Sequence, residues 1–269
     1  MPKEIVVVGP GHLAHAVVSR WLKVADVKIQ VLARSERYLA KGWTPEEESL
    51  VTFRADALRR AKLVVLAVKP KDMADTLATL EEFIPPKALV LSFAAGISIE
   101  QIHNAWPHHG IVRTMPNICS EIGCSVTGAA FSDVSAAEKA WVMELLNLLG
   151  YVTEMPEHLL NPMTALYGSG PAYVYIFIQS IMQAAADLGI PDGQSRELAA
   201  QMVKGASEMA LNDRQKSLAQ LVDEVVSPGG TTEAMLKVLV QSGWQDILHQ
   251  ALKAAGERAI QLGQAPSPA

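Results

Sequence analysis

The sequence predicts an α/β protein, with a doubly wound parallel sheet in the N-terminal half and an all-α half after it. Three observations carry this. The chain opens on a β-branched run, Ile5-Val6-Val7-Val8, that ends in a glycine turn, and Val17, Val18, Trp21 and Leu22 then recur at helical spacing. Short apolar runs alternate with helical periodicity as far as Tyr151-Val152-Thr153, the pattern of strands joined by helices. Beyond that point only long helical periodicity remains. At 269 residues there is room for two domains of the usual roughly 100–200 residues, and the change of pattern places them at 1–157 and 158–269.

The first element is the most informative. Strand, glycine turn and helix form the context that the G-x-G-x-x-G/A dinucleotide fingerprint requires. In Gly9-Pro10-Gly11-His12-Leu13-Ala14, Gly9 makes the tight turn, Gly11 lets the backbone approach a pyrophosphate, and Ala14 lets helix pack closely on strand. Pro10 lines the turn without an N–H to give. Residues Gly9, Pro10, Gly11, His12 and Leu13 are therefore expected at the cofactor of a Rossmann-type domain.

The second strand spans residues 27–33. At its end an NAD-binding protein usually places an acid for the ribose 2′-hydroxyl, whereas this chain has Ala33-Arg34-Ser35-Glu36-Arg37. Arg34 and Ser35 suit a 2′-phosphate, so NADP is expected ahead of NAD. The alternative is that Arg34 and Arg37 are solvated charges on a helix start, and the nearby Glu36 keeps NAD open. The run at 63–68 suits a buried parallel strand. Ligands lie outside the carboxyl ends of such strands, so Ala67, Val68, Lys69 and Pro70 should border the cofactor. Another strand at 88–93 leads to Ala94-Ala95-Gly96, where the small Ala95 and Gly96 let the chain lie close to the nicotinamide end.

Ser98 and Gln101 form a capping box for the next helix. Ile111-Val112 leads into Arg113-Thr114-Met115-Pro116-Asn117, a further strand end. Ser135 and Glu138 form a second box, opening a helix that runs to a Gly150 stop. His103, His108 and His109 around Trp106-Pro107 are expected as solvated residues of a surface turn rather than metal ligands. Cys119 and Cys124 are expected as packing residues.

In the second half, Gly168-Ser169-Gly170-Pro171 reads as a helix start. The helix at 172–188 is apolar nearly all round and must be covered on every side. Helices at 192–212 and 218–226 and two amphipathic ones ending before Gly263 give limited cover, so an obligate dimer is expected, with 264–269 a frayed tail. Ser227-Pro228-Gly229-Gly230-Thr231-Thr232 runs a Pro-Gly-Gly turn straight into a helix. Its N–H groups lack intrahelical partners, and the glycines clear the approach. Thr231 or Thr232 is expected to cap the helix while offering a hydroxyl to the same anion. An ordinary capped helix is the alternative.

Composition narrows the partners. A net charge of −5 leaves no basic surplus to neutralise phosphates, which argues against nucleic acid. The two cysteines are too few for a disulfide framework or a Cys-based zinc site, which favours a reducing compartment. Gln179 and Gln183 interrupt the most apolar helix, so it is not expected to span a membrane. Met1-Pro2-Lys3-Glu4 enters the first strand without a charged n-region. These features together predict a cytoplasmic protein acting on a small molecule.

With these pieces in place the chain resembles pyrroline-5-carboxylate reductase over nearly its whole length. The resemblance rests on Gly9-Pro10-Gly11, Ala67-Val68-Lys69-Pro70, Ala94-Ala95-Gly96, Met115-Pro116-Asn117, Gly168-Ser169-Gly170-Pro171-Ala172-Tyr173 and, above all, Ser227-Pro228-Gly229-Gly230-Thr231-Thr232. It implies a Rossmann domain, an intertwined helical dimerisation domain, NAD(P)H as reductant, and dimers that assemble further. It also implies hydride transfer to a cyclic imine, giving L-proline. The substrate carboxylate would sit on the backbone at Gly229, Gly230, Thr231 and Thr232, with Thr232 acting on the ring nitrogen. Glu157 and Asn117 would border the substrate, and Arg54 would stand where the family commonly holds a ribose with Asn. Ile118 in place of Thr, Tyr167 in place of Ser, and Arg214-Gln215-Lys216-Ser217 in place of Glu-His-Pro-Gly depart from the family. A reductase of another cyclic imine and a non-catalytic nucleotide-sensing relative stay open. A hydroxyacid dehydrogenase of similar layout is disfavoured, because no lysine occurs from Glu157 to Val203.

Overall fold

The structure is a computed structural model, and it describes residues 3–24, 26–35 and 42–264. Glu36, Arg37 and residues 265–269 of the expected tail lie outside the described residues. In chain order, β1 (Lys3–Val8), α1 (His12–Val24), β2 (Val27–Leu32), α2 (Pro45–Glu48), β3 (Val51–Thr52), β4 (Leu63–Leu66), α3 (Met73–Leu80) and β5 (Leu89–Ser92) come first. Next are α4 (Ile99–Ala105), β6 (Ile111–Met115), β7 (Ser125–Ser132), α5 (Ala136–Asn147) and β8 (Gly150–Glu154). The rest is helical: α6 (Leu160–Met163), a π-helical turn at Thr164–Gly168, α7 (Gly170–Asp187), α8 (Asp192–Asn212), α9 (Leu218–Asp223), α10 (Thr231–Gln241) and α11 (Trp244–Gln264).

Among the described residues the strands form one sheet in the order β3-β2-β1-β4-β5-β6-β7-β8. The first six strands are parallel, with the reversal of strand order between β1 and β4 that marks a doubly wound nucleotide fold. Successive residues of β1 point to opposite faces, and both faces are covered. Ile5 and Val7 pack with Val17, Trp21, Leu145 and Leu146 of α1 and α5, while Val6 and Val8 pack with Met73, Leu77 and Ile102 of α3 and α4. That double covering is why these strands are apolar throughout rather than alternating. Of the three buried indoles, Trp21 donates to Leu145 O at 2.9 Å and Trp106 to Leu77 O at 3.1 Å, while Trp43 Nε1 has no partner among the described residues.

Several expectations change. β7 joins antiparallel to β6 and was not expected, because Ser-Val-Thr-Gly-Ala-Ala-Phe-Ser carries little β-branched signal. α5 stops at Asn147, and Gly150 instead opens β8 at φ +142, where a Cβ would overlap the backbone of Ser125. Residues 106–109 form the expected turn with Pro107 and His108 exposed, but its two ends are held to the core. Trp106 is fully buried, and His109 Nδ1 lies 2.9 Å from Ala88 O. Cys124 is exposed rather than packed. α9 ends three residues early, and α11 runs one residue past Gly263. The Ser98 and Ser135 capping boxes form with Gln101 and Glu138.

On the α1 face, Glu47 ties α2 down. Its carboxylate accepts from the Ser19 hydroxyl and lies 3.2 Å from His15 Nε2, whose ring sits 5.0 Å from that of Trp43. Burial pushes the Glu47 carboxyl up, but hydrogen bonds from Ser19, the Thr44 backbone and His15 outweigh it and hold the group below its ordinary value.

The chain packs as two compact units, one running to Pro171 and taking back the chain from Ala254, the other Ala172–Lys253. In the second unit α7 leaves Tyr175, Ile176 and Phe177 exposed, as an apolar surface does when its cover comes from elsewhere. No helix of the described residues is long and apolar enough to cross a membrane.

Candidate functional site

The ends of β1, β2 and β4 are drawn together by short backbone bonds. Gly9 N–H donates to Leu32 O at 2.9 Å, and Ala67 N–H to Val8 O at 2.8 Å. Gly9 has φ +106, and a Cβ there would stand 2.8 Å from Ala67 O, so only glycine lets the turn cross β4. Above these ends opens a cavity of about 380 Å³. Seven residues expected at the cofactor line it: Gly9, Pro10, Gly11, Arg34, Ala67, Val68 and Lys69. His12 and Leu13 begin α1 just behind the turn, and Pro70 opens a 3-10 turn after Lys69. Ser35 follows Arg34 outside the lining, as do Ala95 and Gly96 in the turn after β5. Arg54 does not line the cavity. Its side chain is 83% exposed and pairs with Asp56 at 3.5 Å, while its neighbours Phe53 and Ala55 face the cavity.

The cavity lining suits a phosphorylated ligand. No protein atom lies within 4 Å of where a Cβ on Gly11 would stand, so that glycine serves open space rather than packing. Arg34, Lys69 and Lys71 put three cations on the lining against Asp72 alone. Lys71, Thr76, Thr79 and Leu80 were missed in the sequence. The i, i+3, i+4 spacing of the last three, which places them on one helix face, was the available signal.

Past the sheet's midpoint, β6 carries Arg113, which the sequence also did not single out. The residue is 5% exposed, with Nη1 3.0 Å from Glu157 Oε1 and Nη2 2.6 Å from Asn161 Oδ1. Glu157 Oε1 also accepts the Ile99 amide at 2.7 Å, so the carboxylate is turned onto the sheet. Asn117 is equally committed: Oδ1 accepts from Cys119 N–H at 2.9 Å, and Nδ2 donates to Tyr167 O at 3.0 Å. Residues 157–168 are thereby latched to β6 and to the chain just beyond it. Ile118 and Tyr167 are both partly exposed beside this latch.

In the second unit, Pro228 and Gly229 (φ +73) form the tight turn, closed by Gly230 N–H donating to Ser227 O at 2.9 Å. A Cβ on Gly230 would overlap Ser227 Oγ. Helix α10 starts at Thr231 with Gly230 as N-cap, so neither threonine caps it. Its first acid acts instead, Glu233 accepting the Gly229 amide. The amides of Thr231, Thr232 and Glu233 have no acceptor among the described residues, and they are where an anion would bind. The segment around Gln215 closes on itself. Lys216 Nζ bridges Asp213 at 3.1 Å and Glu224 at 2.6 Å, which lowers the Asp213 carboxyl and raises the Lys216 ammonium from their ordinary values.

A cleft lined by three cations on a doubly wound sheet, followed by a helical half in which the start of α10 leaves three amides open, fits a nicotinamide-dependent oxidoreductase of two-part build. The comparisons agree. Residues 4–96 match the family described as NADP oxidoreductase, coenzyme F420-dependent, and residues 157–262 match pyrroline-5-carboxylate reductase dimerisation. The pyrroline-5-carboxylate reductase of Synechocystis is 31% identical across 98% of this chain and 100% of its own length. Among solved structures, the Coxiella burnetii enzyme is 30% identical with TM-score 0.84, covering 98% of this chain and 100% of its own. The Plasmodium falciparum pyrroline carboxylate reductase, solved with NADP bound, is 25% identical with TM-score 0.87, covering 97% and 98%. The chain belongs to the pyrroline-5-carboxylate reductase family.

Proposed function

We propose that this protein reduces L-1-pyrroline-5-carboxylate to L-proline with NADPH, in the last step of proline biosynthesis. Within the structure, the observation that supports the substrate side of this reading is the set of open amides at Thr231, Thr232 and Glu233, which have no acceptor among the described residues. A helix N-terminus contributes about 0.3–1 kcal/mol to holding an exposed anion, and directed N–H bonds add to it. Gly229 and Gly230 shape the turn, and the amides with the two threonine hydroxyls hold the substrate carboxylate. Glu157 and Asn117 fix the latch that borders the substrate.

The cleft residues from Gly9 to Leu13, Arg34 and Ser35, Ala67 to Pro70, and Ala95 with Gly96 hold the dinucleotide. NADPH bound there supplies the hydride that goes to the C=N carbon, while the ring nitrogen keeps its proton and becomes the amine. A protonated imine already carries the charge that hydride neutralises, so orientation matters more than a strong acid. Thr232 hydrogen-bonds the ring nitrogen and orients it. The protein works in the cytoplasm as a homodimer, with intertwined helical halves covering α7, and dimers assemble further.

Thr232→Ala tests the assignment. Turnover of pyrroline-5-carboxylate should fall about tenfold or more, with the NADPH dissociation constant unchanged. Unaltered turnover would remove Thr232 from its role.

A further inference from the structure

Arg113 is a charge where strand and burial ask for none. Burying a guanidinium is costly even when it is paired, so a buried ion pair is weak evidence of stabilisation and invites another account of its place. Its position supplies one. Arg113 sits beside Ser92 in the β5–β6 register, and Ser92 Oγ accepts the Ala94 amide at 3.3 Å, pinning the front of the turn that carries Ala95 and Gly96. The back of the same turn is Ile99, the first residue of α4, whose amide is held by Glu157 Oε1, the oxygen that Arg113 grips. Asn161 on the second guanidinium nitrogen fixes the direction of that grip. The Ser98–Gln101 box satisfies the amides of Ser98 and Gln101 but leaves Ile99 to Glu157.

We propose that Arg113 is a positioning residue for hydride transfer. By orienting the Glu157 carboxylate it fixes the start of α4, and with it the Ala94–Ser98 turn at the nicotinamide end of the cofactor. This rests on the assignment of Ala95 and Gly96 to that end. Loss of the grip should disturb the nicotinamide end and leave the adenosine end, some distance along the sheet at Arg34 and Lys71, as it was.

The test is Arg113→Lys, which keeps the charge but presents a single point rather than a fork to two acceptors. Arg113→Met and Glu157→Gln are measured beside it. Three readouts are taken: binding of adenosine 2′,5′-bisphosphate, binding of NADPH, and the single-turnover rate with NADPH and with its 4-deuterated form. In Arg113→Lys, the fragment should bind within about twofold of the parent. Hydride transfer should slow about tenfold, and the deuterium isotope effect on steady-state turnover should rise as that step becomes limiting. Glu157→Gln, which keeps a neutral acceptor for Ile99, should show the same pattern more weakly. An unchanged hydride step in Arg113→Lys overturns the proposal, as does a loss of fragment binding in step with the loss of NADPH binding. Gly96→Ala, strained at φ +78, perturbs the turn directly. If it slows hydride transfer while Arg113→Lys does not, only the positioning role falls. If neither does, the assignment of the turn falls and the role with it.

Discussion

Arg34 offers the most direct test of the cofactor cleft. It stands at the end of β2 on the cavity lining, exposed to solvent, with Lys69 and Lys71 on the same lining. Replacing it with alanine removes a guanidinium that a 2′-phosphate would engage. A hydrogen bond to a charged group contributes about 1.5–3 kcal/mol net, and exposure favours the lower end. Since 1.4 kcal/mol is tenfold in affinity, the NADPH dissociation constant should rise about tenfold. NADH has no 2′-phosphate, so its binding should stay as it was, and the NADPH-over-NADH preference should fall by the same factor. The two lysines keep the loss from being complete. Titrating nicotinamide fluorescence with both coenzymes measures this directly. Raising ionic strength to about 1 M shortens the screening length to about 3 Å and should erode the parent's preference toward that of the variant. A preference ratio unchanged in Arg34→Ala would refute the placement of the phosphate at β2.

Further outcomes follow from other parts of the structure. Gly9→Ala forces a Cβ to 2.8 Å from Ala67 O at a positive φ. It should cost about 1–3 kcal/mol, lower the melting temperature by about 2–4 °C for each, and weaken NADPH binding in calorimetry. Glu47 has a folded-state carboxyl below the ordinary value of 4.5, so it contributes stability that is present above the unfolded value and lost as pH falls through the folded one. The parent should therefore exceed Glu47→Gln in melting temperature at neutral pH, and the gap should close on acidification below 4.5. A gap that widened toward acid would contradict the sign. Ile176→Glu places a charge on the exposed face of α7. Burying one isoleucine contributes about 1.5–3 kcal/mol, and a two-fold interface counts it twice, so sedimentation should show dimer association weakened by about two orders of magnitude or more.

How much of this was legible in the sequence depended on how far each signal reaches along the chain. The lining of the cavity was readable where its parts are local: a β-branched strand running into Gly9, a basic residue at the end of β2, and the Ala67-Val68-Lys69 strand end. The capping boxes at Ser98 and Ser135 are local too, each spanning four residues. The cap on α10 misled for the same reason. Thr231 and Thr232 carry the right side chains, yet the Pro-Gly turn places the helix start so that Gly230 takes the cap position and Glu233 reaches back to it. Residue type predicted a cap, whereas the backbone decided which residue stood there.

What the sequence could not disclose is the contact that crosses the fold. Arg113 and Glu157 are 44 positions apart, and Ile99 and Glu157 are 58. No periodicity links such pairs, and an arginine in an apolar strand carries no sign of its partner. β7 hid for a related reason: it lies between β6 and β8, where neighbouring strands and the latch of residues 157–168 supply its cover, so small residues suffice and alternation is not needed. Its Gly128 shows the constraint, since a Cβ there would stand 2.9 Å from Leu160 and 3.0 Å from Met155 Sδ. The strand is therefore built of small side chains because the segment entering the helical half lies directly on it. Enlarging Gly128 should lift residues 155–160 and loosen Glu157 from Arg113, reproducing in a residue far from any ligand the kinetic signature of losing the arginine itself.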